Sequence, residues 1–375
     1  MDSTPPSESA GAVPPMLPPV VTPPRARKPP RPGRGWMICS IILAGLLMFS
    51  LLGYVVEAFQ TSDGQSHAVN ADGHRLEEII LKVSKSDNKI AVLEVEGIIT
   101  SLAFDGSGRT MVDLLKDELA VAAKDDDVKA VILKVDSPGG EVLASDQIYR
   151  ALEKFQSDSG KPVIASMLGL AASGGYYVSA PCRWIVADEL TLTGSIGVIM
   201  HGYNYRGLLN KVGVKPEVFK SGKYKDMMSG DREPSEVSPE ERKMLQELID
   251  ETFLRFKTVV SVGRSKAASK NKGASKPLVA NWEDYADGRV LSGRQAFEHG
   301  FVDQLGDFDA AVKKARELAG ISEAKLVRYE RHFDLSNLFR LFGKKPDNAL
   351  KIDLGVDLPK LQAGRLYFLP AALFH

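Results

Sequence analysis

Cysteine is scarce in this chain of 375 residues: there are two, Cys39 inside an apolar run and Cys182 far downstream. Neither a disulfide framework nor a thiolate metal site fits that usage. Histidine is scarce too. The six present (His67, His74, His201, His299, His332, His375) show no H-x-x-x-H or similar ligand spacing. No metal and no cofactor is therefore expected, and a catalytic base is sought among other residue types. An excess of charge of one sign is also lacking. Lys and Arg number 48, Asp and Glu number 48, and the formal net charge is zero. Nothing in that balance calls for nucleic acid as a partner. What is present is an ordinary globular composition, 44% hydrophobic. It suffices for a sizeable core in one large domain or two modest ones.

The chain changes character along its length. Residues 1–35 are proline-rich without an apolar pattern and read as a disordered cytoplasmic segment. They end in a basic cluster, Arg25, Arg27, Lys28, Arg31 and Arg34. From Trp36 to Val56 the stretch WMICSIILAGLLMFSLLGYVV carries no charge. At ~1.5 Å per residue it spans a hydrocarbon core of ~30 Å. A cleaved signal peptide is the alternative. The long basic lead-in and an apolar run beyond the usual ~7–15 residues favour an uncleaved anchor. Basic residues before the run, with Glu57 and Asp63 after it, place the N-terminus in the cytoplasm and the remainder outside.

Residues 57–88 read as a polar stalk with a short helical piece near Arg75–Val83. The globular part is expected to start at Lys89, where KIAVLEVEGII has a strand pattern. Helices are expected over 110–123, 141–155, after Ala171, from about Pro239 to Val262 and over 308–318. Strands are expected over 130–135, 162–167 and 184–187. Ser238-Pro239-Glu240-Glu241 is a capping box with proline at the first helical position. Residues 263–276, with Lys266, Lys270, Lys272 and Lys276, read as a mobile surface loop. Strands alternating with helices imply an α/β architecture with mostly parallel pairing. Residues 321–375 are expected to form a tail of uncertain structure.

Three segments could carry chemistry. Val135-Asp136-Ser137-Pro138-Gly139-Gly140-Glu141 lies between a strand and a helix, and its glycines allow the backbone close to a developing oxyanion. Gly169-Leu170-Ala171-Ala172-Ser173-Gly174-Gly175-Tyr176-Tyr177 places a serine at a helix start among small neighbours. It is not a G-x-S-x-G elbow, because Ala171 occupies the first glycine position. Lys220-Ser221-Gly222-Lys223-Tyr224-Lys225-Asp226 supplies lysines. A lysine can act as base only when neutral. The ordinary pKa of ~10.4 must then fall, and burial can lower a lysine by up to ~3–5 units. Read singly, these segments are equally a strand-to-helix turn, a capping serine and a surface turn.

In this order they resemble the SppA signal peptide peptidase family in its short, single-repeat form. The resemblance covers roughly residues 89–320. It rests on VDSPGG (135–140), AASGGYY (171–177), DELTLTGSIGVI (188–199), SGKYKDMMSGDREPS (221–235) and GRVLSGRQAFEHGFVDQLG (288–306). The resemblance implies a Clp protease/crotonase-like spiral of ββα units and a Ser/Lys-dyad serine endopeptidase. Ser173 matches the nucleophile and Lys225 the general base. Ser195 matches a serine that orients the lysine amine, and Gly140, with Gly139 beside it, matches the oxyanion hole. Lys223 does not fit the family spacing. A homo-oligomeric, octamer-like ring is implied, with serine and lysine from adjacent subunits. The implied partners are peptide or signal-peptide substrates and membrane lipid, at the bacterial inner membrane with the catalytic domain extracytoplasmic. A crotonase-type acyl-CoA enzyme and an inactive membrane-tethered scaffold are the alternatives.

Overall fold

A computed structural model describes residues 40–48, 68–69, 75–103, 108–331 and 366–369. The chain divides into two compact units, residues 1–64 and 65–375. In the first, α1 (residues 40–48) is helical and exposes apolar side chains such as Leu47 and Met48. The expected disordered segment, the remainder of the expected anchor and residues 57–64 lie outside the described residues. No described helix is long and apolar enough to cross a membrane.

The second unit is mixed α/β. Its elements run β1 (Ala68–Val69), β2 (Arg75–Lys82), β3 (Lys89–Ile99), α2 (Met111–Lys124), β4 (Val128–Glu141), α3 (Val142–Ser159) and β5 (Val163–Ala172). Then follow α4 (Gly174–Ser179), β6 (Trp184–Ala187), β7 (Leu192–Gly194), β8 (Ile199–Met200), α5 (Arg206–Lys211) and α6 (Pro239–Lys270). The chain continues through β9 (Val290–Ser292), α7 (Gly293–Glu298), β10 (Gln304–Leu305), α8 (Phe308–Ala319), β11 (Lys325–Arg331) and β12 (Leu366–Phe368).

The sheet is ordered β1-β2-β11-β3-β4-β5-β6-β10, with β7 and β12 branching from β5 and β4. Its centre is parallel. Val92 pairs with Ile132, Ile132 with Ile164, and Ile164 with Trp184. Such strands are buried on both faces, which is why they read as continuous Val/Ile/Leu runs. Ala91, Leu93 and Val95 of β3 join the core on one face, against α2, α3 and α4. Ile90 and Val92 point to the other, against Val312 and Ala315 of α8. Thr110 caps α2 through a capping box with Asp113, and Ser238 caps α6 through one with Glu241.

Three segments differ from the sequence reading. Arg75–Lys82 is a strand rather than a helical piece, held antiparallel to β11, with Leu76 buried. Residues 263–270 continue α6 rather than forming a loop. Gly263 packs so close to the Ala180 carbonyl that a Cβ there would sit 2.3 Å from it. The next residue, Arg264, ion-pairs with Asp303, both buried. At the far end, residues 366–368 are a strand, and 332–365 lie outside the described residues.

Candidate active site

β5 ends at Ala172, and the next residue, Ser173, caps α4 with φ 53° and ψ −113°. A non-glycine residue at positive φ is strained and needs surrounding structure to hold it. Here the Ser173 N–H donates to the Gly194 carbonyl at 2.8 Å, and its carbonyl accepts from Tyr177 N at 2.8 Å. The side chain is buried, at 1% exposure, and its Oγ has no hydrogen-bond partner. An unpaired buried hydroxyl costs free energy, so this position asks for an explanation.

The helix start docks on the SPGG segment. A Cβ on Gly174 would lie 3.0 Å from both Gly139 Cα and Gly140 N, and one on Gly175 would lie 2.7 Å from the Ser137 carbonyl. Only glycines allow this approach. Gly139 itself has φ +106°, which favours glycine. Ser137 shapes the turn, since its Oγ donates to the Gly97 carbonyl at 2.6 Å and accepts from Gly139 N at 3.1 Å. The Gly140 backbone thus lies beside the Ser173–Gly174 peptide. Gly174→Ala should push the two glycine strands apart. We expect peptide hydrolysis to fall by about 10²-fold, the usual scale for a 1 Å misplacement, and the melting temperature to fall with the ~1–3 kcal/mol that overpacking a core costs. Side-by-side rate and melting measurements check this.

β7 runs parallel to β5 with Ala172 opposite Gly194. Ser195 therefore leaves its strand next to Ser173, and it too is buried with a positive φ, 50°. Its N–H donates to the Arg289 carbonyl at 2.7 Å. Arg289 is fixed in turn by Asp287, whose carboxyl is held down to about 2 by the hydrogen bonds from that guanidinium.

β12 closes over this edge. It pairs antiparallel with β4, Phe368 opposite Gly140, and with β8, Tyr367 opposite Ile199. The Phe368 ring stacks on Tyr177 with centroids 4.9 Å apart and packs against Phe256 at 4.7 Å. A position beside β4 and β8 thus accommodates an extended polypeptide. Only the apolar run Leu366–Leu369 hinted at this placement in the sequence. Glu141, also missed, buries its carboxylate next to Gly140 and accepts from Thr100 Oγ1 at 3.1 Å and Ser101 N at 3.2 Å.

The structure brings Ser173, Ser195, Gly139 and Gly140 to one place. It leaves Lys225 elsewhere. Lys225 sits in an exposed turn, its N–H bonded to the Gly222 carbonyl at 3.2 Å, and within one chain it makes no hydrogen bond to Ser173. Cys182 offers no alternative nucleophile, because full burial pushes its thiol far up and keeps it protonated.

A strained serine at a strand-to-helix junction of an α/β fold, with glycine backbone packed alongside, is an arrangement that fits a serine hydrolase. Two family models match overlapping parts of the chain. One, described as Clp protease, matches residues 90–183. The other, described as Peptidase family S49, matches residues 155–322. A candidate protease of Synechocystis sp. is 40% identical over 238 residues, covering 64% of this chain and 77% of its own. A candidate signal peptide peptidase SppA of Enterococcus faecium is 34% identical over 307 residues, covering 79% and 84%. Protease 4 of Salmonella typhi is 36% identical over 64% of this chain but only 36% of its own length. The chain belongs to peptidase family S49, with the SppA peptidases, and is a serine protease.

Proposed function

We propose that this protease is a membrane-anchored endopeptidase whose nucleophile is Ser173 and whose base is Lys225 from a neighbouring copy. The observation that carries the reading is Ser173 itself, buried, strained and without a partner for its hydroxyl. Among the described residues, no side chain of the same chain bonds to that hydroxyl. Lys225 rides on a segment in which none of residues 197–240 is buried. That segment exposes large apolar side chains, among them Tyr203, Leu208, Val212 and Phe219, the last 89% exposed. Exposed apolar surface on this scale marks a contact with another protein. A second copy covering it would desolvate the lysine and bring it to the serine, closing into a ring, octamer-like by family resemblance.

In this mechanism the substrate lies extended between β4 and β8, in the position that Leu366–Phe368 occupies in this structure, and β12 leaves that position for the substrate to bind. The Ser173 oxygen attacks the scissile carbonyl and its proton passes to the neutral Lys225 amine, oriented by Ser195. The carbonyl oxygen becomes an oxyanion held by the Gly140 N–H, with Gly139 shaping the turn. The lysine returns the proton to the leaving amine, and water then hydrolyses the acyl-enzyme by the same steps. The substrates are remnant signal peptides or other envelope polypeptides. The basic cluster at 25–34 and the uncharged run 36–56 support an anchor with the protease outside the inner membrane.

Two experiments test the proposal. Mass spectrometry of cleavage products from wild type and Ser173→Ala should show products only with wild type, and equal product from both would refute the nucleophile. A reporter active only outside the cytoplasm should work when fused after Asp63, and failure there would refute the topology.

A further inference from the structure

The segment that carries Lys225 has no core of its own, so packing does not fix its shape. It is held by polar contacts that converge on one side chain. Arg232 Nη1 donates to Glu241 Oε1 at 2.8 Å and to the Asp226 carbonyl at 3.4 Å. Nη2 donates to Glu241 Oε2 at 3.3 Å and to the Glu236 carbonyl. Nε lies 3.6 Å from the Asp226 carboxylate. Asp226, the residue next to Lys225, is gripped from its other side by Lys220, with both oxygens at 2.8 Å.

The far anchor is rigid. Glu241 is 2% exposed and also completes the capping box of α6, accepting from Ser238 N at 3.0 Å. The carboxyl of Glu241 is held low chiefly by its bond from Arg232, and that of Asp226 chiefly by its bond from Lys220. Both therefore stay charged through the neutral range. Nearby backbone contacts close the turn, with Tyr205 N donating to the Gly230 carbonyl at 2.8 Å. Arg232 is thus the bridge between the turn holding the exposed Lys225 and the first turn of a 32-residue helix.

We propose that Arg232 is the positioning residue for Lys225, bracing the Lys225–Asp226 turn against Glu241 on the N-terminus of α6. The proposal rests on the Ser/Lys reading above. Arginine suits the role because one planar fork can serve a carboxylate bidentately and still reach two carbonyls, whereas lysine presents a point charge. Arg232 touches no reacting atom and acts through the lysine alone.

The test uses the full-length protein with a fluorogenic peptide, comparing wild type, Lys225→Ala, Arg232→Met, Arg232→Lys and Glu241→Gln. Arg232→Met should lower kcat by about 10²-fold, the scale of a catalytic group displaced by 1 Å, while KM stays within about twofold. Arg232→Lys, which keeps the charge and part of the contact, should recover about a tenth of wild-type kcat. Glu241→Gln, which retains one acceptor, should fall between the two. Sedimentation of each variant should match wild type. If Arg232→Met keeps kcat near wild type while Lys225→Ala is inactive, the positioning role is overturned and the dyad stands. If both Arg232 variants lose fold or assembly, Arg232 belongs to the scaffold and the proposal is likewise overturned. Full activity in Lys225→Ala would overturn the dyad and the positioning role together.

Discussion

Lys225→Arg should be nearly as inactive as Lys225→Ala, although it preserves the charge. A general base contributes about 10²–10⁴-fold to a rate, and the loss should fall in that range for both variants. The reason is chemical. To accept the Ser173 proton the side chain must first be neutral, and a guanidinium does not give up its proton in proteins. Lys223→Ala serves as the neighbouring control. Lys223 is exposed and lies over the Tyr224 ring, 4.9 Å from its centroid, so its removal should leave most activity. Steady-state rates on one peptide, measured for all three variants, decide the matter. Near-normal turnover in Lys225→Arg would mean that the lysine supplies only charge. His201, beside Tyr203 at 4.8 Å, would then be the first residue to examine as base.

Mixing two dead variants should restore activity. Ser173→Ala and Lys225→Ala chains are each inactive alone if both residues are required. In a ring built from head-to-tail contacts, each site takes its serine from one copy and its lysine from the next. Random coassembly of equal amounts then leaves about a quarter of the sites intact, because both neighbours must be of the right kind. Coassembled chains should therefore recover about a quarter of wild-type turnover. The buried, unpartnered Ser173 Oγ and the exposed Lys225 of one chain motivate this expectation. A coassembled mixture as inactive as either parent would place both groups of a working site within one chain.

Local signals in the sequence read well, and distant pairings did not. KIAVLEVEGII coincides with β3, because burial on both faces against two layers demands that apolar run. The capping box at Ser238–Glu241 starts α6 where its chemistry requires. Arg75–Lys82 failed as a local reading because its partner, Lys325–Arg331, is far away in sequence. Residues 263–270 failed for a similar reason: a lysine-rich stretch suggests a loop until Gly263 is brought against Ala180 and Arg264 against Asp303. Burial of Ser173 was also illegible, since part of the cover over the neighbouring glycines comes from β12 at the far end of the chain. The glycines themselves were legible as sites of close approach, and the contacts at Gly139, Gly140 and Gly174 give that a geometric cause. Lys225 was legible only as part of a lysine-rich turn, and in this structure it is exposed and makes no hydrogen bond to Ser173.

The central claim is that Ser173 is the nucleophile, and a covalent probe tests it most directly. The full-length protein is incubated with a serine-reactive fluorophosphonate, digested, and mapped by peptide mass spectrometry. One phosphonylated residue is expected, Ser173, with labelling and peptide cleavage both lost in Ser173→Ala. Labelling at another serine, or Ser173→Ala cleaving peptide at the wild-type rate, would contradict it.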